Sequence, residues 1–337
     1  MVALELTKVK AIMILIIIFS ISLVGYYVYS AHFVESEVVI GYLEADLHHL
    51  ALFVALEKGW FEEEGLKIST RVYQNGMAEM DGFKAGEIDI GYLGIAPALI
   101  KRINADINIT VVAAVNVNGS AIIVGKNSQI DSLEDLAGKN IAIPGYGTVQ
   151  HFLLLLALEK AGLSEEKVNI TRGFGPSNME LMLSSGQIDG FIAWEPFCAD
   201  AVVRGIGVYL VKSGELWRNH PCCVVAVRSD FLEKHRDIVF KILSIHVKAT
   251  KWVQEHFEEA VKIAVKHTGF SEGTVRLALE NIAYVYNPDL EGIRTYLERL
   301  IEKEIISVNE GFNVSQFLTE FIDLSILEAV ENVTQFT

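Results

Sequence analysis

Only three cysteines occur in 337 residues, Cys198, Cys222 and Cys223. That number and spacing exclude a disulfide framework and match no zinc-ligand pattern. They read as small buried residues, with a bridge from Cys198 to Cys222 or Cys223 left open. Basic residues are also scarce: 28 Lys and Arg against 43 Asp and Glu give a formal net charge of -15. Nucleic acid is thereby excluded as a partner, since neutralising phosphates takes clustered basic side chains and no such cluster occurs. Catalytic signatures are missing as well. There is no Gly-x-Ser-x-Gly, no phosphate-binding Walker loop, no His-Glu-x-x-His and no dinucleotide glycine fingerprint. No enzymatic activity, cofactor or metal is therefore expected. Low-complexity stretches and long linkers are absent too, and 51% hydrophobic with 21% charged residues is ordinary for a folded α/β protein.

The N-terminus carries the clearest targeting signal. Lys8 and Lys10 precede an apolar run from Ala11 to about Val28, and Ser30, His32 and Glu35 come after it. The run lies between a signal-peptide core and a minimal membrane span, and lysines on its N-terminal side predict export of the rest of the chain. Residues 1–36 are expected to tether the chain outside the membrane or to be removed on export. No cysteine lies near the run, which excludes lipoprotein attachment. Five Asn-x-Ser/Thr triplets, starting at Asn108, Asn118, Asn169, Asn313 and Asn332, are compatible with export but arise often by chance.

Beyond the anchor, strand and helix patterns alternate. Val38 to Gly41 reads as a strand, His48 to Gly59 as a helix, Leu66 to Val72 as a strand, Met77 to Ala85 as a helix stopped by Gly86, and Ile88 to Tyr92 as a third strand. That alternation argues for parallel βαβ units. The order then returns with recognisable sequence. His49-Leu50 and Ala55-Leu56-Glu57-Lys58 match His151-Phe152 and Ala157-Leu158-Glu159-Lys160, and Gly86-Glu87-Ile88-Asp89 matches Gly186-Gln187-Ile188-Asp189. A duplication predicts two lobes. The expected division is 37–117 for the first part of lobe one, 118–219 for lobe two, and 220–337, mostly helical, completing lobe one. Strands near Val111–Val117 and Cys222–Val227 are expected to form the hinge.

In an open parallel sheet, ligands bind beyond the carboxyl ends of the strands. The candidate loops are therefore Gly41–His49, Gln74–Met77 and Leu93–Ala96 in lobe one, and Pro144–His151, Gly175–Asn178 and Trp194–Phe197 in lobe two. Their candidate ligand contacts are Asp46, His48, Asn75, Gly76, Gly94, Ile95, Asn118, Tyr146, Gly147, Thr148, Ser177, Asn178, Trp194 and Glu195. Gly145 to Thr148 puts small residues and a hydroxyl at a helix start, which suits an oxygen-rich group, although N-capping explains Thr148 and Ser177 equally. Trp194-Glu195 places an aromatic plate beside a carboxylate, suited to a flat or amine-bearing ligand; the alternative is a packed tryptophan and a solvated glutamate. His48 and His49 are adjacent, so they do not share one helix face as spaced metal ligands would. His49 aligns with His151, which favours a shared packing role.

The run from His49-Leu50 through Ala55-Leu56-Glu57-Lys58-Gly59-Trp60-Phe61-Glu62-Glu63-Glu64-Gly65-Leu66 resembles the opening of the nitrate, sulfonate, taurine and thiamine-pyrimidine-precursor group of ABC substrate-binding proteins. Lys84 to Gly91, Ser132 to Lys139 and Trp194-Glu195-Pro196 extend the likeness over about Val38 to Asp323. The resemblance implies a two-lobed type II periplasmic-binding-protein fold that closes by a hinge on a small molecule. It further implies a monomer that delivers its ligand to a membrane permease driven by a cytoplasmic ATPase. The candidate loops carry no Arg or Lys, which disfavours a bare inorganic anion. Glu195, Glu44 and Asp46 favour an N–H-bearing ligand, so an aminosulfonate, sulfonate or pyrimidine is expected. A sensor ectodomain and a biosynthetic enzyme on the same fold are the alternatives; the cysteine-rich motif of the fungal enzyme is absent.

Overall fold

A computed structural model describes residues 37–334, so the apolar N-terminal run lies outside the described residues. Among the described residues, eleven strands form two sheets. They are β1 (Glu37–Leu43), β2 (Lys67–Tyr73), β3 (Ile90–Gly94), β4 (Ile109–Asn118), β5 (Ser120–Gly125), β6 (Asn140–Ile143), β7 (Asn169–Arg172), β8 (Gly190–Trp194), β9 (Gly207–Lys212), β10 (Pro221–Arg228) and β11 (Ile282–Tyr284). The first sheet has the order β11-β4-β10-β3-β1-β2 and the second β7-β6-β8-β5-β9.

The two sheets repeat one plan. In each, three strands run parallel, β2-β1-β3 and β7-β6-β8, followed by a strand antiparallel to them, β10 or β5. The pairing of Ile40 with Ile90 in one lobe is matched by Ile141 with Gly190 in the other. Helices Leu50–Glu57 and Gly76–Lys84 in lobe one correspond to Val149–Lys160 and Pro176–Ser184 in lobe two. The duplicated histidines play the same part: His49 Nδ1 accepts the Leu43 N–H at 3.4 Å, and His151 Nδ1 accepts the Gly147 N–H at 3.3 Å. Each buried ring thus holds the strand-to-helix turn that precedes it.

Helices cover both faces of the strands, which accounts for the continuous apolar runs of β4 and β10 rather than an alternating pattern. Each fully buried Val or Ile on them stabilises the fold by roughly 1.5–3 kcal/mol. The chain beyond β10 packs mostly on lobe one with helices of clear amphipathic spacing. On Leu290–Glu302, Ile293, Tyr296, Leu297 and Leu300 share the buried face.

The chain crosses between sheets twice. From β4 it turns through Asn118 and Gly119, both at positive φ, straight into β5. From β9 it returns through the short helix Ser213–Leu216 and Asn219, also at positive φ, into β10. The crossings therefore lie at the ends of the strands anticipated from sequence, and Asn118 N–H donates to His220 O at 3.3 Å to tie the two together. The cysteine bridge that the sequence left open does not form. All three cysteines are free and buried, and the Cys198 thiol donates to the carbonyls of Ala193 and Ala121 at 3.2 and 3.5 Å. Among the described residues, no helix is long and apolar enough to cross a membrane.

Candidate functional site

A cavity of about 20 Å³ lies where the strand ends of the two lobes converge, lined by Leu43, Asp46, His48, Asn75, Gly76, Gly94, Pro97, Thr148, Val149, Gln150, Trp194, Cys222 and Cys223. Larger grooves occur, including one of about 390 Å³ between Phe152, Trp217 and Arg299 and one of about 380 Å³ along Asn116, Pro221 and Cys223, but neither is lined by the helix starts of both lobes. The crevice beyond the carboxyl ends, reached from both lobes, is the place where this topology binds ligands.

Three helix starts face the cavity. Asn75 caps Gly76–Lys84 by accepting the Ala78 N–H at 3.0 Å, and Gly94 caps Ile95–Asn104. Thr148 caps Val149–Lys160 by accepting the His151 N–H at 3.2 Å while its hydroxyl donates to Gly145 O at 2.7 Å. Their positive dipole ends give the cavity an affinity for an oxyanion. None of the lining residues is Arg or Lys.

On the lobe-one side, Asp46 Oδ1 accepts the His48 N–H at 2.9 Å and stands 3.3 Å from His48 Nδ1. Burial raises the Asp46 carboxyl to about 7 although His48 pulls it down. Burial presses the His48 imidazole down, but Asp46 and the Cys222 sulfur outweigh it and hold it up at about 10. Nε2 of the ring meets the Gly119 carbonyl at 2.8 Å; a carbonyl only accepts, so Nε2 carries a hydrogen and Nδ1 is turned toward the sulfurs. Trp194 closes the other side, 2% exposed, with an indole N–H that finds no partner among the described residues.

Of the residues singled out from sequence, Asp46, His48, Asn75, Gly76, Gly94, Thr148 and Trp194 line the cavity. Ile95, Asn118, Tyr146, Gly147, Ser177, Asn178 and Glu195 do not. Ser177 and Asn178 are exposed, and Tyr146 lies at the rim, 44% exposed, beneath the Arg172 guanidinium. Glu195 is fully buried but spoken for. Its Oε2 accepts the Ala199 N–H at 2.9 Å, and its Oε1 accepts Tyr209 O–H at 3.0 Å and Asn281 N–H at 3.1 Å. Glu44 is exposed and does not line the cavity. Leu43, Val149 and Gln150 also line it and lie within the candidate loops, though not named singly, whereas Pro97, Cys222 and Cys223 lie outside them. Pro97 directly follows the Leu93–Ala96 loop, whereas the cysteines arrive on a strand 174 residues from His48.

A family model described as the NMT1-like family matches residues 34–266. A putative aliphatic sulfonates-binding protein of Bacillus subtilis (strain 168) is 26% identical over 288 residues, 83% of this chain and 82% of that one. The taurine-binding periplasmic protein of Escherichia coli K12 is 31% identical over 181 residues, 53% of this chain and 55% of that one. Among solved structures, the alkanesulfonate-binding protein from Xanthomonas axonopodis pv. citri bound to MOPS superposes with a TM-score of 0.74 at 19% identity, covering 81% of this chain and 95% of that one.

Proposed function

The chain belongs to the NMT1-like family, and from that premise we propose that it is the extracytoplasmic solute-binding protein of an ABC importer, closing its two lobes on a small organic oxyanion. The sulfonate- and taurine-binding relatives support a sulfonate or aminosulfonate as the solute class. The observation that carries the reading is the convergence of three helix starts and Trp194 on one cavity lined from both lobes. Helix ends offer backbone N–H groups to the acidic head, and the unpartnered Trp194 indole supplies one further donor. Asp46, His48, Asn75, Gly76, Gly94, Thr148 and Trp194 are the proposed contacts. With Glu195 and Glu44 turned elsewhere, a pyrimidine loses much of its rationale.

A cavity of about 20 Å³ holds little more than one water molecule. An organic solute therefore requires the lobes to part about the Asn118–Ser120 and Ser213–Pro221 crossings and then reclose. In this reading residues 37–117 and 220–334 act as one lobe and residues 118–219 as the other. The N-terminal run tethers the monomer outside the membrane, or is cleaved on export, and the closed form docks on a permease coupled to a cytoplasmic ATPase.

Calorimetric titration with taurine, an alkanesulfonate, nitrate, bicarbonate and an aminopyrimidine tests the proposal. Saturable binding of a sulfonate, lost by at least tenfold in Trp194→Ala, is the expected outcome. Binding of nitrate or bicarbonate with none of the organic compounds would overturn the solute class.

A further inference from the structure

Cys222 and Cys223 are neighbours on β10, and in a regular strand their side chains would point to opposite faces. Here they point to the same place. The pairing of β10 with β4 slips on both sides of Cys223, running from Pro221 with Val117 to Cys223 with Asn116 and then Val224 with Ala114. Such an irregularity re-aims side chains, and the two sulfurs end 4.0 Å apart. Asn116 holds the distortion in place, its Oδ1 accepting the Cys223 N–H at 3.2 Å.

Both sulfurs face one nitrogen. His48 Nδ1 is 3.7 Å from Cys222 Sγ and 3.6 Å from Cys223 Sγ. Metal–sulfur and metal–nitrogen bonds of about 2.3 and 2.0–2.1 Å in a tetrahedron set edges of about 3.8 Å between sulfurs and about 3.6 Å between sulfur and nitrogen. The three separations in this cluster are those edges to within a few tenths of an ångström. Asp46 Oδ1, 3.3 Å from His48 Nδ1, stands beside this three-ligand face as a buried carboxylate. The opposite ring nitrogen is fixed on the Gly119 carbonyl, the outer hydrogen bond by which metal-binding histidines are oriented. All four residues are between 1% and 4% exposed and line the cavity, whose volume suits a single ion.

We propose that Cys222, Cys223 and His48, completed by Asp46, form a binding site for one soft divalent cation of the zinc type on the lobe-one floor of the cleft. Two thiolates and one imidazole spaced as three corners of a tetrahedron, with a carboxylate beside the imidazole, select zinc over calcium or magnesium, which seek oxygen alone. The ion takes the place of the protons shared among these groups, which leave to solvent on binding. Every ligand belongs to lobe one, so loading does not need the lobes to close and does not depend on which solute is carried.

The test uses the full chain without an affinity tag, purified under reducing conditions, with elemental analysis of the metal retained. The metal-stripped protein is then titrated with zinc and, separately, with cobalt(II), whose thiolate charge-transfer absorption in the near ultraviolet reports sulfur ligation directly. We expect one zinc per chain, the thiolate–cobalt absorption, and loss of at least tenfold in affinity in Cys222→Ser and in Cys223→Ser. Cys198→Ser, which lies outside the cluster, should bind as the wild type does. Absence of the cobalt absorption in the folded wild type would overturn the site even if the variants fail to fold. A Cys222–Cys223 disulfide in the reduced preparation, or retention of copper(I) with no affinity for zinc, would equally overturn it. Solute titration is read separately, so failure of the metal site leaves the binding-protein reading standing, and the converse holds.

Discussion

Single residues in this protein show how burial and hydrogen bonding divide work between stability and function. His246 is buried on the helix Arg236–Glu255, donating from Nε2 to Ala114 O at 2.8 Å with Tyr92 O–H against Nδ1 at 3.3 Å. Burial pushes it down to about 4, against the smaller upward pull of the carbonyl. The unfolded chain thus binds a proton near pH 6.5 that the folded chain refuses until about pH 4, so stability falls as pH drops through that window, by about 3 kcal/mol at most. Raised carboxyls such as Glu195 work in the opposite direction over part of this range. The useful readout is therefore the difference between wild type and His246→Gln in urea denaturation. That difference should favour the wild type most at pH 7 and shrink toward pH 4; a difference constant with pH would contradict the assignment. Glu195 offers a second residue-scale check. Glu195→Ala strands Tyr209, Asn281 and the Ala199 N–H in the interior and should cost roughly 2–4 kcal/mol by denaturation, whereas Glu195→Gln keeps an acceptor and should cost less than half of that.

At the scale of elements, the crossings between sheets are where local backbone form is most constrained. Gly119 sits at φ +89°, and a Cβ placed there would fall 2.1 Å from His48 Nε2. Gly119→Ala should lose about 1–3 kcal/mol from backbone strain alone, and more because the histidine must move. Thermal unfolding measures the first effect, and a fall in both zinc and solute affinity would report the second. Normal stability and normal binding in this variant would show that the crossing tolerates a side chain and that the His48 position is not set there. The same scale explains why adjacent cysteines converge. A strand with perfect register would have sent Cys222 and Cys223 to opposite faces, and the slip in β10 is what brings them together.

Across the whole molecule, closure is held by contacts between lobes as well as by the cleft. Arg299 and Lys303 on the helix Leu290–Glu302 and its cap reach Glu159 on Val149–Lys160 at 3.0 and 3.1 Å, above a stack in which Tyr296 and Phe152 rings are 4.1 Å apart. The ion pairs are half exposed and contribute no more than about 1 kcal/mol. Removing them in Glu159→Ala should weaken solute affinity by less than about fivefold. Reversing the charge in Glu159→Lys, which sets a cation against Arg299 and Lys303, should shift the protein toward the open form, visible as a larger radius of gyration in solution scattering. An unchanged radius would mean that the aromatic stack alone holds the lobes. Much of this architecture was legible in the sequence, because the repeat of His49-Leu50 as His151-Phe152 and of Gly86–Asp89 as Gly186–Asp189 reflects local strand and helix patterns that each lobe must satisfy for itself. The loops were legible for the same reason: parallel βαβ units put their binding loops at strand ends, and five of the six candidate loops contribute to the cavity. The sequence alone therefore determined the two lobes, the crevice and a lining without Arg or Lys. Tertiary structure decided which side chains line the crevice. Glu195 was drawn into hydrogen bonds with β9 and Asn281, partners set by long-range packing. Cys222 and Cys223 met His48 because a register slip between two antiparallel strands, a property of the pair and of neither strand alone, turned both sulfurs inward.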